Sequence, residues 1–234
     1  MTDAAVVFDM DGVLVDSEPL WMRARKELVR DGGGRWHADA ETAMMGISSD
    51  IWSAYMRDRL ELQHYTAEQI RTDVLDRMVE LYRADVPLLP GARAAVEAAA
   101  ARWPVAIASG SDRVLLDTVL AATGLGPCFA ATVAGDEVSE GKPHPMIYDE
   151  ACRRLGADPQ HCVAIEDSGA GISSALAAGL KVVAVPRPGF APRPEILARA
   201  TVSLPDLTGL DADRMAAVMA QAPPDSARPT APTR

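Results

Sequence analysis

Four short segments hold the side chains that could do chemistry. In Asp9-Met10-Asp11-Gly12-Val13 two acids flank a methionine, so an extended backbone points both carboxylates to one side and Met10 to the other. An ionised aspartate can attack phosphorus in line. A second carboxyl can then protonate the leaving alkoxide and later deprotonate the hydrolytic water. Two acids and a glycine also build ordinary turns and helix caps, so this segment alone leaves both readings open. In Ile107-Ala108-Ser109-Gly110-Ser111 small hydroxyl residues precede a helical pattern, and helix N-terminal amides with a Ser hydroxyl suit a phosphoryl group. A plain N-cap role for Ser111 or Asp112 is compatible with that use.

The third segment, Gly141-Lys142-Pro143-His144-Pro145, holds one lysine between a glycine and prolines, where its compact charge could pair with both phosphate and nucleophile. A solvated surface lysine is the alternative. The fourth, Ala164-Ile165-Glu166-Asp167-Ser168-Gly169-Ala170-Gly171, places two adjacent acids after an apolar run, and hard oxygen ligands of this kind suit Mg²⁺. Capping by Asp167 or Ser168 is again an alternative, and the absence of GxGxxG argues against a dinucleotide site. Brought together, Asp9, Asp11, Glu166 and Asp167 would surround one lysine with four negative charges. Such a cluster repels a phosphate dianion unless a divalent cation is present.

Apolar runs recur at 4–8, 105–108, 162–165 and 182–185, each short and rich in β-branched residues or alanine. Helical patterns at 112–122 and 144–155 separate them. The alternation predicts an α/β fold, a doubly wound parallel sheet with helices on both faces. Ligands of such sheets bind beyond the carboxyl ends of the strands, where all four segments fall. Residues 17–85 break the alternation with three helical stretches, at 18–30, 49–62 and 66–83, and read as a helical cap inserted into a core made of 1–16 and 86–222. Pro90-Gly91 marks the return to the core and the start of an alanine-rich helix. Residues 223–234 are proline-rich and are expected to form a disordered tail.

The 234-residue chain is 48% hydrophobic, enough for a full core, and carries a formal charge of −10, which disfavours nucleic acid as a partner. No run approaches the ~18 apolar residues of a membrane span, and the first eight residues lack a signal-peptide pattern. Cys128, Cys152 and Cys162 are too few and too scattered for a disulfide framework or a CxxC metal site. The expectation is a cytoplasmic monomer acting on a small-molecule phosphate ester, with neither membrane nor nucleic acid as partner.

In their order, the segments from Phe8 to Glu18, from Ala108 to Ser111, from Gly141 to Pro145 and from Ile165 to Gly171 resemble the haloacid dehalogenase superfamily, in the subgroup of β-phosphoglucomutase and sugar-phosphate phosphatases. The resemblance spans nearly the whole chain except the tail. It implies Asp9 as nucleophile, Asp11 as general acid/base, Ser109, Gly110 and Lys142 as phosphate ligands, and Mg²⁺ held by Asp9, the Asp11 carbonyl and Asp167, with Glu166 assisting. It also implies a mobile cap closing over the site. Mutase relatives carry basic residues in the loop matching 44–49, and this chain has none there, so the cap is expected to bring no cation to a second phosphate and the resemblance favours a phosphatase over an intramolecular mutase. Trp21, Met45, Gly46 and Trp52 are the candidate cap contacts to substrate, with packing the alternative for the aromatics, which stand at helical spacing. A phospho-acceptor module of the receiver type fits poorly, because its acidic pair precedes its acceptor aspartate and it lacks so large a helical insertion.

Overall fold

The computed structural model describes residues 4–44, 49–189 and 191–221. Six parallel strands make one sheet: β1 (Val6–Phe8), β2 (Val105–Ala108), β3 (Ala131–Val133), β4 (Val163–Glu166), β5 (Lys181–Ala184) and β6 (Val202–Ser203). Their order is β3-β2-β1-β4-β5-β6. The chain winds outward from β1 to β3, then returns to the other side of β1, which creates a crevice at the switch point.

The strands are short, and β1, β2 and the middles of β4 and β5 are apolar because both faces are covered, with Glu166 and Lys181 standing at strand ends. Val6, Phe8, Ile107, Ile165 and Val183 enter one buried cluster, while Val7, Ala106, Ala164 and Val182 enter the other. On the first face lie α5 (Ala92–Ala100) and α10 (Ala212–Met219). On the second lie α7 (Met146–Leu155) and α8 (Gly169–Ala177). α6 (Arg113–Thr123) follows β2, and the short α9 (Pro194–Leu197) leads towards β6. The strands β3 and β6 were not anticipated. Only three and two residues long, they offer no apolar run against which alternation could be read.

Between β1 and α5 come α1 (Glu18–Asp31), α2 (Ala40–Ala43), α3 (Ser49–Arg59) and α4 (Ala67–Ala84), with no intervening strand among the described residues. α4 begins with a capping box, the Thr66 hydroxyl accepting from the Gln69 amide and the Gln69 side chain accepting from the Thr66 amide. Its Ile70, Val74, Met78 and Tyr82 recur every fourth residue and form one buried stripe. The expected start of α5 shifts slightly: Gly91, at φ 82°, is its N-cap, so Pro90 precedes the helix. The two connections of the helical insertion run side by side, with the Asp16 amide on the Pro87 carbonyl at 2.8 Å and the Leu89 amide on the Leu14 carbonyl at 2.9 Å. Met45, Gly46 and the expected tail at 223–234 lie outside the described residues.

Candidate active site

Strand register sets the level of the site. Phe8 aligns with Ile107 on β2 and with Ile165 on β4, so Asp9, Ala108 and Glu166 end their strands together. The Asp9 amide extends the ladder onto the Ile165 carbonyl at 3.0 Å, and the Ser109 amide does the same onto Val133 at 3.0 Å. Hence the side chains of Asp9 and Ser109 leave the sheet from a rigid edge.

Lys142 sits between two acids. Its Nζ donates to Asp9 Oδ1 at 2.7 Å and to Glu166 Oε1 at 2.6 Å, and it lies 5.2 Å from the centre of the Tyr148 ring. Glu166 is fully buried and its acceptors are occupied. Oε1 also accepts from the Tyr148 hydroxyl at 3.0 Å, and Oε2 accepts from the Ser168 amide and hydroxyl, both at 3.0 Å. The first turn of α8 closes on this carboxylate. A Cβ on Gly171 would lie 1.6 Å from Glu166 Oε1, so only glycine fits.

Burial raises the carboxyl of Asp9 to about 7, against the opposing pull of Lys142. Burial, then the charges of Glu166 and Asp9, pushes Asp167 well above the usual carboxylate range. The two neighbouring acids hold the Lys142 ammonium above its ordinary value despite its burial. Asp9, Glu166 and Asp167 each present a carboxylate oxygen within 4.8 Å of the others. Since Glu166 already receives four hydrogen bonds, Asp9 and Asp167 are the members with oxygen left for a cation. These hard donors fit Mg²⁺. Gly12, at φ 80°, makes the approach possible, because a Cβ there would stand 2.0 Å from Asp167 Oδ2.

Asp11 turns towards the loop after β2. Its Oδ2 accepts from the Ser111 hydroxyl at 2.7 Å and from the Ser109 hydroxyl at 3.3 Å, and the Ser111 amide donates to Ser109 Oγ at 3.0 Å. Asp11 Oδ1 is buried without a hydrogen-bond partner. Gly110 is open, with nothing within 4 Å of a Cβ built there. The structure therefore assembles Asp9, Asp11, Ser109, Lys142, Glu166 and Asp167 at one sheet edge. Tyr148 was not anticipated, and Ser111 and Ser168 were read as candidate helix caps rather than as partners of the acids; Ser168 does cap α8, its hydroxyl accepting from the Gly171 amide at 3.0 Å.

The expected cap aromatics are occupied differently from the simplest expectation. Trp21 and Trp52 meet edge to face at 6.0 Å, and the Arg25 guanidinium lies 4.9 Å and 5.0 Å from the two ring centres. Arg25 is buried, its Nε lacks an acceptor, and burial lowers its pKa to about 10. Arg71 on α4 pairs with Asp112 beside the phosphate-type loop, and the Ser49 hydroxyl donates to the same carboxylate at 2.9 Å. The expectation that the cap brings no cation inward is thus corrected. Arg25 and Arg71 were overlooked because both belong to ordinary helical patterns outside the 44–49 loop. A groove of about 650 Å³ between α1 and α4, bordered by Arg23, Glu27, Asp76 and Arg77, contains none of these residues.

Fold and site together define a capped α/β protein with an acidic, lysine-bearing centre at the carboxyl ends of its strands. A family model for haloacid dehalogenase-like hydrolases matches residues 4–179. Hexitol phosphatase B of Escherichia coli (strain K12) is 34% identical over 214 residues, covering 89% of this chain and 94% of that protein. Fructose-1-phosphate phosphatase YqaB of the same strain is 31% identical over 191 residues, covering 78% and 96%. The crystal structure of CbbY from Rhodobacter sphaeroides in complex with phosphate superposes with a TM-score of 0.76 at 30% identity, covering 90% of this chain and 96% of that one. The chain belongs to the haloacid dehalogenase-like hydrolases, among the sugar-phosphate phosphatases, and is a phosphatase.

Proposed function

We propose that the protein is a Mg²⁺-dependent phosphomonoesterase that hydrolyses a sugar or polyol monophosphate through an aspartyl-phosphate on Asp9. The observation that carries this reading is the Asp9–Lys142–Glu166 bridge, which fixes a carboxylate beside a cation at a strand end. In this reading the 17–85 unit is the cap, and 1–16 with 86–222 the core. The free Oδ2 of Asp9 attacks phosphorus, and Lys142 and the Ser109 hydroxyl hold the phosphoryl oxygens, with Gly110 leaving room for them. Asp11 gives a proton to the departing alkoxide and then takes one from the water that cleaves the acyl phosphate. Mg²⁺, when bound by Asp9, Asp167 and the Asp11 carbonyl, supplies positive charge that offsets the developing negative charge. Glu166 acts by aiming Lys142.

The substrate class rests on the relatives whose names specify hexitol and fructose 1-phosphates. The competing reading, a β-phosphoglucomutase-like phosphotransferase, requires the cap to grip a second phosphate. The test is a panel of phosphate esters with Mg²⁺, followed by ³¹P NMR. The expected result is stoichiometric inorganic phosphate from sugar or polyol monophosphates. Isomerised hexose phosphate accumulating faster than free phosphate would establish the mutase instead.

A further inference from the structure

One residue breaks the apolar stripe of α1. Trp21, Ala24, Leu28 and Val29 are buried, and Arg25 lies among them at 6% exposure. A buried guanidinium is costly unless it is paired and hydrogen-bonded. The rings of Trp21 and Trp52 lie over it, their centres 4.9 Å and 5.0 Å away, yet its Nε has no acceptor. Contact with aromatic faces offsets part of the cost but satisfies none of the donors. Glu18, Trp21 and Arg25 stand three and then four residues apart, so they share one face of α1. Glu18 acts on Arg25 through charge and not through a hydrogen bond, and it feels Asp11 from the core and Glu41 from α2. The face thus runs from the sheet-edge acids into the cap and ends on an unfilled donor.

We propose that Arg25 and Glu18 determine specificity by binding adjacent hydroxyls at the end of the substrate remote from its phosphate, with Trp21 and Trp52 against the carbon chain. A second anion fits this place poorly, because Glu18 and Glu41 outnumber the one guanidinium. A neutral hydroxyl fits both partners: its oxygen accepts from Arg25 and its proton goes to a carboxylate oxygen of Glu18. The tryptophan rings offer apolar faces to the C–H groups between. The inference rests on the reading of the substrate as a sugar or polyol monophosphate and assigns the cap side chains that select it.

The test compares Arg25→Met with wild type on glucitol 6-phosphate, 6-phosphogluconate and hexyl phosphate, with kcat/KM read from released phosphate. Hexyl phosphate keeps the six-carbon chain and an alkoxide leaving group but has no hydroxyl. A hydrogen bond to a charged group is worth about a tenfold effect or more, so Arg25→Met should lower kcat/KM for glucitol 6-phosphate by at least about that factor. On hexyl phosphate the loss should be about twofold or less. Methionine packs well against aromatic rings and removes an unpaired buried charge, so the variant should melt no lower than wild type. Equal losses on the two esters, no loss on either, or a clearly lower melting temperature would make Arg25 a packing residue and overturn the proposal. A wild-type preference for 6-phosphogluconate, whose remote end is a carboxylate, that disappears in Arg25→Met would overturn it too, since the place would then take an anion. A wild type that hydrolyses hexyl phosphate as well as glucitol 6-phosphate would refute the sugar-or-polyol reading beneath it instead.

Discussion

Replacing Glu166 by glutamine tests whether this acid serves the lysine or the metal. The carboxylate accepts four hydrogen bonds, two on each oxygen, from Lys142 and Tyr148 on one side and from the Ser168 amide and hydroxyl on the other. A glutamine NH₂ turned to the first side meets the Lys142 ammonium, which cannot accept. Turned to the second, it meets the Ser168 amide, which cannot accept either. Either way a donor faces a donor, and Lys142 loses one of the two charges that hold it. Breaking a buried, hydrogen-bonded charge pair costs about 3–5 kcal/mol, so Glu166→Gln should lose about 3 kcal/mol or more of unfolding free energy. Urea unfolding in excess chelator at pH 7.5 measures this, with an unchanged m-value showing that the comparison is valid. Glu80→Gln on the exposed face of α4 serves as control and should stay within about 0.5 kcal/mol. A loss below about 1 kcal/mol in chelator, accompanied by a large fall in Mg²⁺ affinity, would refute the reasoning and make Glu166 primarily a metal ligand.

Gly12→Ala should place a methyl 2.0 Å from Asp167 Oδ2 at a φ of 80°, so Mg²⁺ affinity measured by calorimetry should drop by about tenfold or more while about 1–3 kcal/mol of stability is lost. Burial raises the Asp9 carboxyl from its ordinary 3.8 to about 7, so its contribution to stability is largest below about 4 and disappears as pH rises to about 7. Mg²⁺ needs the ionised acid, so the rise in melting temperature that Mg²⁺ gives over chelator should grow from pH 5.5 to pH 8; a flat or falling difference would contradict the assignment. Asp9→Asn should leave no measurable hydrolysis. Asp11→Asn should retain more activity on 4-nitrophenyl phosphate than on a sugar phosphate, because acid–base assistance is worth about 10²–10⁴-fold where the leaving group needs a proton.

The acids and Ser109 were legible from the sequence because they lie at or just after the ends of β1, β2 and β4, and parallel strand ends converge, whereas Lys142 ends no strand and was legible only from its glycine and proline neighbours. The positions of α1, α4, α5, α6 and α7 were legible to within a residue or two; α3 stops at Arg59, before Glu61 takes a positive φ of 61°, and α2, α8, α9 and α10 were not anticipated. The strands β3 and β6 were hidden by their length. What the sequence could not display were partnerships across long separations. Tyr148 meets Glu166 eighteen residues on, and Arg71 meets Asp112 forty-one residues on. Arg25 illustrates the difficulty from another side: in a helix pattern an arginine next to buried positions reads as a snorkelling surface residue, and only the fold shows two tryptophans closing over it.

Those two arginines change the argument for hydrolysis over phosphoryl return without reversing it. The sequence suggested that a second phosphate would find no cation in the cap; the structure supplies two, each already facing acids. Arg71 pairs with Asp112 and lies 3.6 Å from Asp50, one positive charge against two negative. Arg25 feels Glu18, whose carboxyl is raised by burial and lies within reach of the charges of Asp11 and Glu41. A bisphosphate would therefore have to displace Asp112 from Arg71, or oppose Glu18 and Glu41 at Arg25, and either exchange leaves a carboxylate uncompensated near a group carrying close to two negative charges. A monophosphate with a neutral, hydroxyl-bearing end asks for no such exchange. Water meets no comparable barrier, so in the proposed reaction an aspartyl-phosphate on Asp9 would be left to hydrolysis because the cap's cations are engaged rather than missing.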